Sequence, residues 1–140
     1  MIRKATTEDF EAIHRLCECD LGYECDISRV RERLENLDEV RECVFVAESA
    51  GNVAGFIHVE KYDVLYAPPM ANILGIAVAL DERRKGYGKA LLSAAEDWAK
   101  ERGIKSMRLN SGGKRKGAHE FYRNAGYNDE KEQLRFAKEL

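Results

Sequence analysis

The residues with the clearest chemical potential lie in a short basic segment that follows an apolar run and contains two closely spaced glycines: Arg83, Arg84, Lys85, Gly86 and Gly88. A strand that passes through glycines into a helix can bind phosphate, because glycine lets the backbone approach closely and the first N–H groups of a helix are free to donate. We therefore predict a diphosphate site here. A glycine pair alone is a weak signal, and a tight turn beside a solvated basic surface is the alternative interpretation.

Two further features narrow the class of ligand. The loop lacks both the third glycine of the dinucleotide-binding motif and the Gly-Lys-Ser/Thr sequence of a P-loop, so neither nucleotide-binding motif fits. The net charge of the chain is -2, and the second basic cluster, residues 114–116, is as short as the first. Because a nucleic-acid-binding domain usually has a dominant basic surface, we expect no nucleic-acid partner. Salt-sensitive binding of DNA or RNA through the two clusters is the competing hypothesis.

The glycine loop resembles the central motif of the GNAT superfamily of N-acetyltransferases, Gln/Arg-x-x-Gly-x-Gly/Ala, with Arg83, Gly86 and Gly88 in its three defined places. The second half of the chain is similar to the family's Ala-x-x-Phe-Tyr pattern followed by Gly-Phe/Tyr, at Ala118, Phe121, Tyr122, Gly126 and Tyr127. Two motifs separated by a helix and a strand are more specific than either motif alone. The motifs span residues 73–127, and the order of elements agrees from Ile2 to the C-terminus.

The resemblance implies an acyl-CoA-dependent N-acyltransferase that moves an acetyl group from acetyl-CoA directly to a primary amine, with no metal ion. It implies that the strand before the loop splays from its parallel neighbour, so that the pantetheine arm inserts between them and bonds to Ile76, Ala77 and Val78. Backbone N–H groups of the same segment would polarise the thioester carbonyl. The pyrophosphate would be held by the N–H groups of Arg84, Lys85, Gly86, Tyr87, Gly88 and Lys89, and the side chains of Arg83, Arg84 and Lys85 would add charge.

Tyr122 resembles the general acid of the family, which protonates the departing thiolate of CoA. Such a group is useful because expelling a thiolate into a partly dry cleft costs more than expelling a thiol. A core aromatic residue is the alternative, because Tyr122 also fits the apolar stripe of its helix. Many relatives carry Asn where this chain has Arg115, although Arg115 with Ala118 and His119 matches one branch of the family. Arg115 either reaches a phosphate of CoA or covers the start of the helix.

The general base is less well marked. An amine is protonated at neutral pH and must lose a proton before it attacks the thioester. Some relatives place Glu on the strand before the loop, but residues 73–75 offer no carboxylate here. His58 and Glu60 share one face of the preceding strand by period two and are our candidates, acting through water; each alone could be an ordinary polar residue, and His119 is a weaker candidate. The missing carboxylate leaves one alternative function, a non-catalytic CoA-binding sensor or regulatory module.

The elements that position these residues predict one α/β domain over residues 1–140, with helices on both faces of a mixed, mostly antiparallel sheet. Period two and apolar runs predict strands at residues 2–5, 43–48, 53–62, 71–80, 105–110 and 133–138. The strand at 71–80 is almost wholly apolar, which is typical of a central strand covered on both faces. Helical spacing predicts helices after Thr6, from Ser28, from Gly88 to Gly103, and from Ala118 to Gly126.

The 140 residues, 44% hydrophobic and 34% charged, suit one globular domain. No apolar stretch is long enough to span a bilayer, and no signal-peptide core follows Arg3 and Lys4, which predicts a cytoplasmic protein with reduced cysteines. Cys17 and Cys19 lack the Cys-x-x-Cys spacing of zinc sites, so we expect no metal. We also expect a homodimer. The acceptor is open among polyamines, amino acids, antibiotics and protein amines.

Overall fold

Five strands form one mixed sheet in the order β1-β2-β3-β4-β5. They are β1 Ile2–Lys4, β2 Glu42–Ser49, β3 Asn52–Tyr62, β4 Met70–Val78 and β5 Met107–Leu109. The pairs β1–β2, β2–β3 and β3–β4 are antiparallel, and β4–β5 is parallel. The predicted mixed, mostly antiparallel sheet is confirmed.

The computed structural model describes every residue from Met1 to Leu140. The chain divides into two compact units, Met1–Leu109 and Asn110–Leu140, and each is described by itself. The first unit contains the whole sheet and the glycine loop, whereas the second contains the Tyr122 motif. That the 140 residues act as one domain stays a prediction.

The sheet of the first unit carries helices on both faces, as predicted. The helices are α1 Phe10–Cys19, α2 Ile27–Glu35 and α3 Tyr87–Glu101, with single 3-10 turns at Thr7–Asp9 and Leu80–Glu82. On one face Leu16 of α1 is buried in a cluster with Val46 and Phe56. On the other face α3 approaches so closely that a side chain at Gly55 would meet Leu91 at 3.2 Å. Because Gly55 and Phe56 are neighbours on β3, their positions point to opposite faces.

A partly buried ion pair connects the start of the chain to the sheet. The guanidinium of Arg3 donates to both carboxylate oxygens of Asp9 at 2.9 Å, and its Nε also contacts Glu48 at 2.5 Å. The backbone N–H of Thr6 donates to Asp9 at 2.7 Å, which fixes the turn into α1. The hydrogen bonds from Arg3 hold the pKa of Asp9 below its usual range, although burial opposes this shift. Thr6 is the N-cap of the 3-10 turn that leads into α1.

A hairpin joins β2 to β3 through Ala50 and Gly51. Both residues have positive φ, 51° and 81°. Positive φ at both central positions is typical of the type I′ turn, whose twist matches that of two antiparallel strands.

No helix of the chain has the length and apolar character that crossing a membrane would require.

Two sequence predictions differ from the structure. Residues 133–138 form no strand, and the alternating Leu134 and Phe136 are 83% and 87% exposed. Apolar residues at period two favour a strand when one face of it is buried against other residues, and here both apolar side chains face solvent. The second difference concerns β4, which is buried at Ala71 and Ile73 but leaves Leu74 50% exposed. The strand is covered on both faces over only part of its length.

Candidate active site

The strand before the glycine loop parts from its parallel neighbour halfway along. β4 pairs with β5 only from Ala71 to Ile73, although it continues to Val78. The register against β3 shifts at the same point, because His58 lies opposite Gly75 and Val59 lies opposite Ile73. The extra residue is Leu74, so β4 bulges where the parallel pairing ends. Residues 74–78 therefore have an edge that no strand of the sheet covers.

The backbone groups along this open edge follow from the antiparallel register. The N–H of Ala79 donates to the carbonyl of Ala54 at 2.8 Å, so residue 79 faces β3. Facing alternates in such a ladder, and therefore Ala77 also turns its N–H and C=O to β3, while Ile76 and Val78 turn theirs to the open edge. The predicted contacts of Ile76, Ala77 and Val78 with pantetheine stay predictions. The alternation favours contacts of Ile76 and Val78 over a contact of Ala77.

The glycine loop forms a concave set of free backbone donors. It leads from β4 through the turn Leu80–Glu82 into α3, and Arg84 and Gly86 have φ of 65° and 86°. None of the backbone N–H groups of residues 84–89 donates a hydrogen bond within the protein. Left-handed residues next to a helix start turn successive N–H groups towards one point, and such a concavity binds anions. Nothing lies within 4 Å of a Cβ placed on Gly86, so the loop is open on that side.

The basic side chains of the loop differ in how far they are neutralised. Arg83 donates to the carbonyl of Val78 at 3.2 Å and lies 3.5 Å from Asp20, whose side chain is only 9% exposed. Lys85 pairs with Glu82 at 3.0 Å, and this hydrogen bond raises the pKa of the ammonium. Arg84 forms no ion pair. The charge predicted from Arg83 and Lys85 is therefore partly cancelled within the protein, while that of Arg84 is not.

His58 lies in a polar cluster on the face of the sheet that carries α1 and α2. Its Nε2 is 2.7 Å from Oε1 of Glu42, which also accepts from Arg33 at 2.9 Å. The second oxygen of Glu42 accepts from the backbone N–H of Asp38 at 3.3 Å. Burial acts to raise the pKa of Glu42, but the hydrogen bonds from His58, Asp38 and Arg33 outweigh it and lower the pKa. Glu42 is therefore ionised at neutral pH.

Glu60, the second candidate base, belongs to a separate network. Its Oε2 accepts from the amide of Asn72 at 2.8 Å, and the Asn72 oxygen accepts from Arg108 at 2.7 Å. The guanidinium of Arg108 stacks 4.3 Å above the ring of Tyr62. Glu42 and Glu60 lie directly opposite each other in the β2–β3 register, an arrangement that is unfavourable for like charges. Each carboxylate is compensated by donors of its own.

Sequence reasoning missed Glu42. The predicted strand began at residue 43, so Glu42 was not placed on the same face as His58. Extending the strand one residue towards the N-terminus would have placed Glu42 two residues before Val44, on the same face. No sequence signal identifies Arg33 as its partner, because that contact depends on how α2 lies across the sheet.

In the second unit, Tyr122 lies on the helix α4, Lys116–Asn124. Its ring contacts Phe121 and Tyr127 edge to face, with centroids 5.3 and 6.1 Å apart. Burial raises the pKa of Tyr122 and the nearby charge of Arg115 partly opposes this, so the phenol keeps its proton at neutral pH. The weaker candidate His119 has its Nε2 2.8 Å from the carbonyl of Gly112, which occupies that nitrogen.

Arg115 is the residue immediately before α4, and its carbonyl accepts from the N–H of His119 at 3.1 Å. Its side chain is exposed. Both interpretations of Arg115 made from the sequence, contact with a phosphate of CoA and cover for the helix start, stay predictions. The chain contains no group of three or more side chains that could hold a metal ion.

Comparison with known proteins agrees with this geometry. The model of the acetyltransferase (GNAT) family matches residues 9–127. The chain is 32% identical over 131 residues to an uncharacterized N-acetyltransferase of Chlorobaculum tepidum, a match that covers 91% of this chain and 75% of the relative. It is 31% identical over 142 residues to the aminoalkylphosphonate N-acetyltransferase of Salmonella typhimurium, covering 99% of this chain and 90% of that one.

Solved structures share the fold. The structure of AAC(6')-Iy in complex with the bisubstrate analogue CoA-S-monomethyl-acetylneamine superposes with a TM-score of 0.83 and 18% identity. The match covers 100% of this chain and 98% of that one. At this identity the likeness shows the fold alone.

Proposed function

Since this chain belongs to the acetyltransferase (GNAT) family, we propose that it moves an acetyl group from acetyl-CoA to a primary amine by direct attack. The observation that carries the proposal is the set of free N–H groups at residues 84–89 beside the open edge of β4. A cosubstrate with a diphosphate and an amide-containing arm requires this combination, an anion-binding loop next to an unpaired strand edge.

The cosubstrate fits the groups that the first unit leaves unpaired. The pyrophosphate takes the N–H groups of residues 84–89, and Arg84 and Lys89, which form no ion pair in the structure, supply charge nearby. The pantetheine arm carries amide groups, and it pairs with the outward N–H and C=O groups of Ile76 and with the outward N–H of Val78, whose carbonyl already accepts a hydrogen bond from Arg83. The arm thereby acts as an additional strand at the uncovered edge, as extended peptides do when they bind a sheet.

The reaction needs one nucleophile and one proton donor. The lone pair of the amine forms the C–N bond with the acetyl carbon, and the C–S bond breaks with its electron pair left on sulfur. Tyr122 gives its proton to that sulfur, the new amide nitrogen loses one proton to solvent, and the Tyr122 phenolate takes one proton back from solvent. A phenol with a raised pKa suits this role, because it is protonated when the thiolate forms.

His58 or Glu60 takes the first proton, which the ammonium form of the acceptor must lose before attack. Both side chains lie on the face of β3 next to the bulge at Leu74, where β4 leaves β5. His58 has a side chain that is 20% exposed, so water reaches it. A water molecule that relays the proton is consistent with this partial exposure.

The acceptor that we propose is a primary amine of small-molecule size. The Salmonella relative, which covers nearly the whole chain, makes aminoalkylphosphonates the first acceptors to test. Aminoglycosides, polyamines, amino acids and a peptide with a free lysine complete the panel, because none of the described contacts excludes them.

The test measures binding and turnover separately. Release of CoA thiol is followed with a thiol reagent for each amine of the panel, with amine-free reactions as controls, and the acetyl-CoA-dependent rise in melting temperature is recorded in parallel. Thiol release that requires an amine supports the proposal. A melting shift without turnover of any amine supports the CoA-binding sensor instead, and the absence of both would refute the proposal.

A further inference from the structure

His58 can hold only one tautomer in its cluster. A carboxylate accepts hydrogen bonds and cannot donate one, so the nitrogen that lies 2.7 Å from Glu42 must carry a hydrogen. That nitrogen is Nε2. In the neutral imidazole the second nitrogen, Nδ1, therefore has the free lone pair. Nδ1 makes no hydrogen bond with any residue of the protein.

The surroundings of Glu42 stabilise its ionised form, which can only accept hydrogen bonds. Its side chain is only 13% exposed, and donors from three elements converge on it: His58 of β3, Arg33 of α2 and the N–H of Asp38 in the loop before β2. Donors to a carboxylate favour its charged form, which is the form that fixes the imidazole. The cluster therefore maintains the acceptor that determines the tautomer.

We propose that Glu42 is a positioning residue that holds His58 in the Nε2–H tautomer, so that Nδ1 is the nitrogen that takes the proton of the acceptor amine. The proposal rests on the proposed function for the identity of the reaction. It assigns the base role to His58 rather than to Glu60, and it adds Glu42 to the residues on which the reaction depends.

The position of His58 supports this assignment. His58 lies opposite Gly75, the residue after the bulge, and Gly75 has no side chain that could cover its neighbour. The parallel strands part at this level, between Ile73 and Leu74. The imidazole of His58 therefore lies one strand away from the open edge of β4, at the level where β4 parts from β5.

His58 passes one proton from the acceptor to solvent and returns to its starting form. The ammonium group of the acceptor loses one proton through water to Nδ1, which forms an imidazolium with N–H at both nitrogens. The ionised Glu42 stabilises that cation through the existing bond at Nε2. When the imidazolium returns the proton to solvent, Nδ1 is deprotonated again and Nε2 keeps its hydrogen, because Glu42 has not moved.

The tautomer can be measured without substrate. Long-range ¹H–¹⁵N spectra of the wild-type protein, labelled at histidine and recorded above the titration of the ring, distinguish a protonated Nε2 from a protonated Nδ1. We expect the Nε2–H form for His58, assigned by its loss in a His58→Gln variant. A wild-type His58 in the Nδ1–H form would overturn the proposal, whatever the kinetics show.

The kinetic test uses Glu42→Gln with Glu48→Gln as its matched control. Glu48 is on the same strand, and its carboxylate contacts Arg3 instead of His58. The charged groups around His58 are Glu42 from β2, Arg33 from α2 and Glu60 two residues along β3, whereas Leu74 and Gly75 of β4 are uncharged. Glu42→Gln deletes the negative charge of the carboxylate and leaves the positive charge of Arg33 without its partner, and both effects disfavour the imidazolium.

For Glu42→Gln we therefore expect the acid limb of kcat/KM to move to lower pH, and kcat to fall by about 10- to 100-fold, part of what a general base contributes. The melting shift with acetyl-CoA should persist. A pH profile equal to that of Glu48→Gln would overturn the proposal. A wild-type protein that acetylates no amine would instead refute the proposed function, while the spectrum still decides whether Glu42 sets the tautomer.

Discussion

Gly88→Ala should raise the stability of the free protein and abolish its response to acetyl-CoA. Gly88 is the second residue of α3, inside the segment whose N–H groups make no hydrogen bond within the protein. Alanine costs less backbone entropy in a helix than glycine does, by about 0.5–1 kcal/mol. We expect its methyl group, however, to obstruct the approach of a phosphate to the N–H groups of the loop.

The expected sizes follow from mass action. At 100 times its Kd, acetyl-CoA stabilises the wild-type protein by about 2.7 kcal/mol, or roughly 8 °C at about 3 °C per kcal/mol. Loss of two hydrogen bonds to a charged phosphate, at about 1.5–3 kcal/mol each, weakens binding by roughly 100-fold or more. The same ligand concentration then equals the new Kd or less, and the stabilisation falls to at most about 0.4 kcal/mol, or roughly 1 °C.

The assay is thermal unfolding with and without acetyl-CoA, with Gly117→Ala as the matched control. Gly117 is the second residue of α4, as Gly88 is of α3, and a Cβ placed on Gly117 would have nothing within 4 Å. Both variants should melt above the wild type without ligand, and only Gly117→Ala should keep the full shift. A Gly88→Ala variant that keeps the wild-type shift would refute the assignment of the loop to the pyrophosphate.

Three further predictions concern other parts of the chain. Tyr122→Phe should keep the acetyl-CoA shift and lose about 10²- to 10⁴-fold in turnover, and unchanged turnover where chemistry limits the rate would reduce Tyr122 to a core aromatic. Asp9→Asn should cost about 1–3 kcal/mol at pH 7 in urea unfolding. Because the pKa of Asp9 is lowered in the folded state, its contribution is fully present above the unfolded pKa of about 4 and is lost as the pH falls through the folded pKa, so the gap between variant and wild type should narrow steadily below about pH 4. Sedimentation at micromolar concentration should find two chains, and a lone monomer would contradict the dimer.

The glycine loop and the order of elements were predictable from the sequence because their signals are local. Gly86 and Gly88 lie between an apolar run and a helical pattern, and a stretch of some twenty residues contains all that the prediction needs. The hairpin at Ala50 and Gly51 also depends on a local signal, because the backbone preferences of its two central residues determine a two-residue turn. The family motifs then supplied Tyr122 and the class of cosubstrate.

The sequence also limited the candidate bases to His58 and Glu60, because period two is a property of any strand. It could not choose between them. Glu42 lies 16 residues before His58, and the contact exists only in the β2–β3 register that the structure shows. Arg33 enters the cluster only because α2 packs on that face of the sheet.

Tertiary structure alone determined how much of the charge of the loop is neutralised and where β4 bulges. Arg83 is separated by 63 residues from Asp20, and only folding brings that carboxylate to the guanidinium and cancels part of its charge. The apolar sequence of β4 did not predict the bulge at Leu74, whereas the family resemblance had implied that β4 parts from β5, and the structure confirms this. In the same way, Leu134 and Phe136 alternate as a strand would but find no partner. A residue pattern determines which face a side chain takes, whereas the register and the available neighbours determine what that face meets.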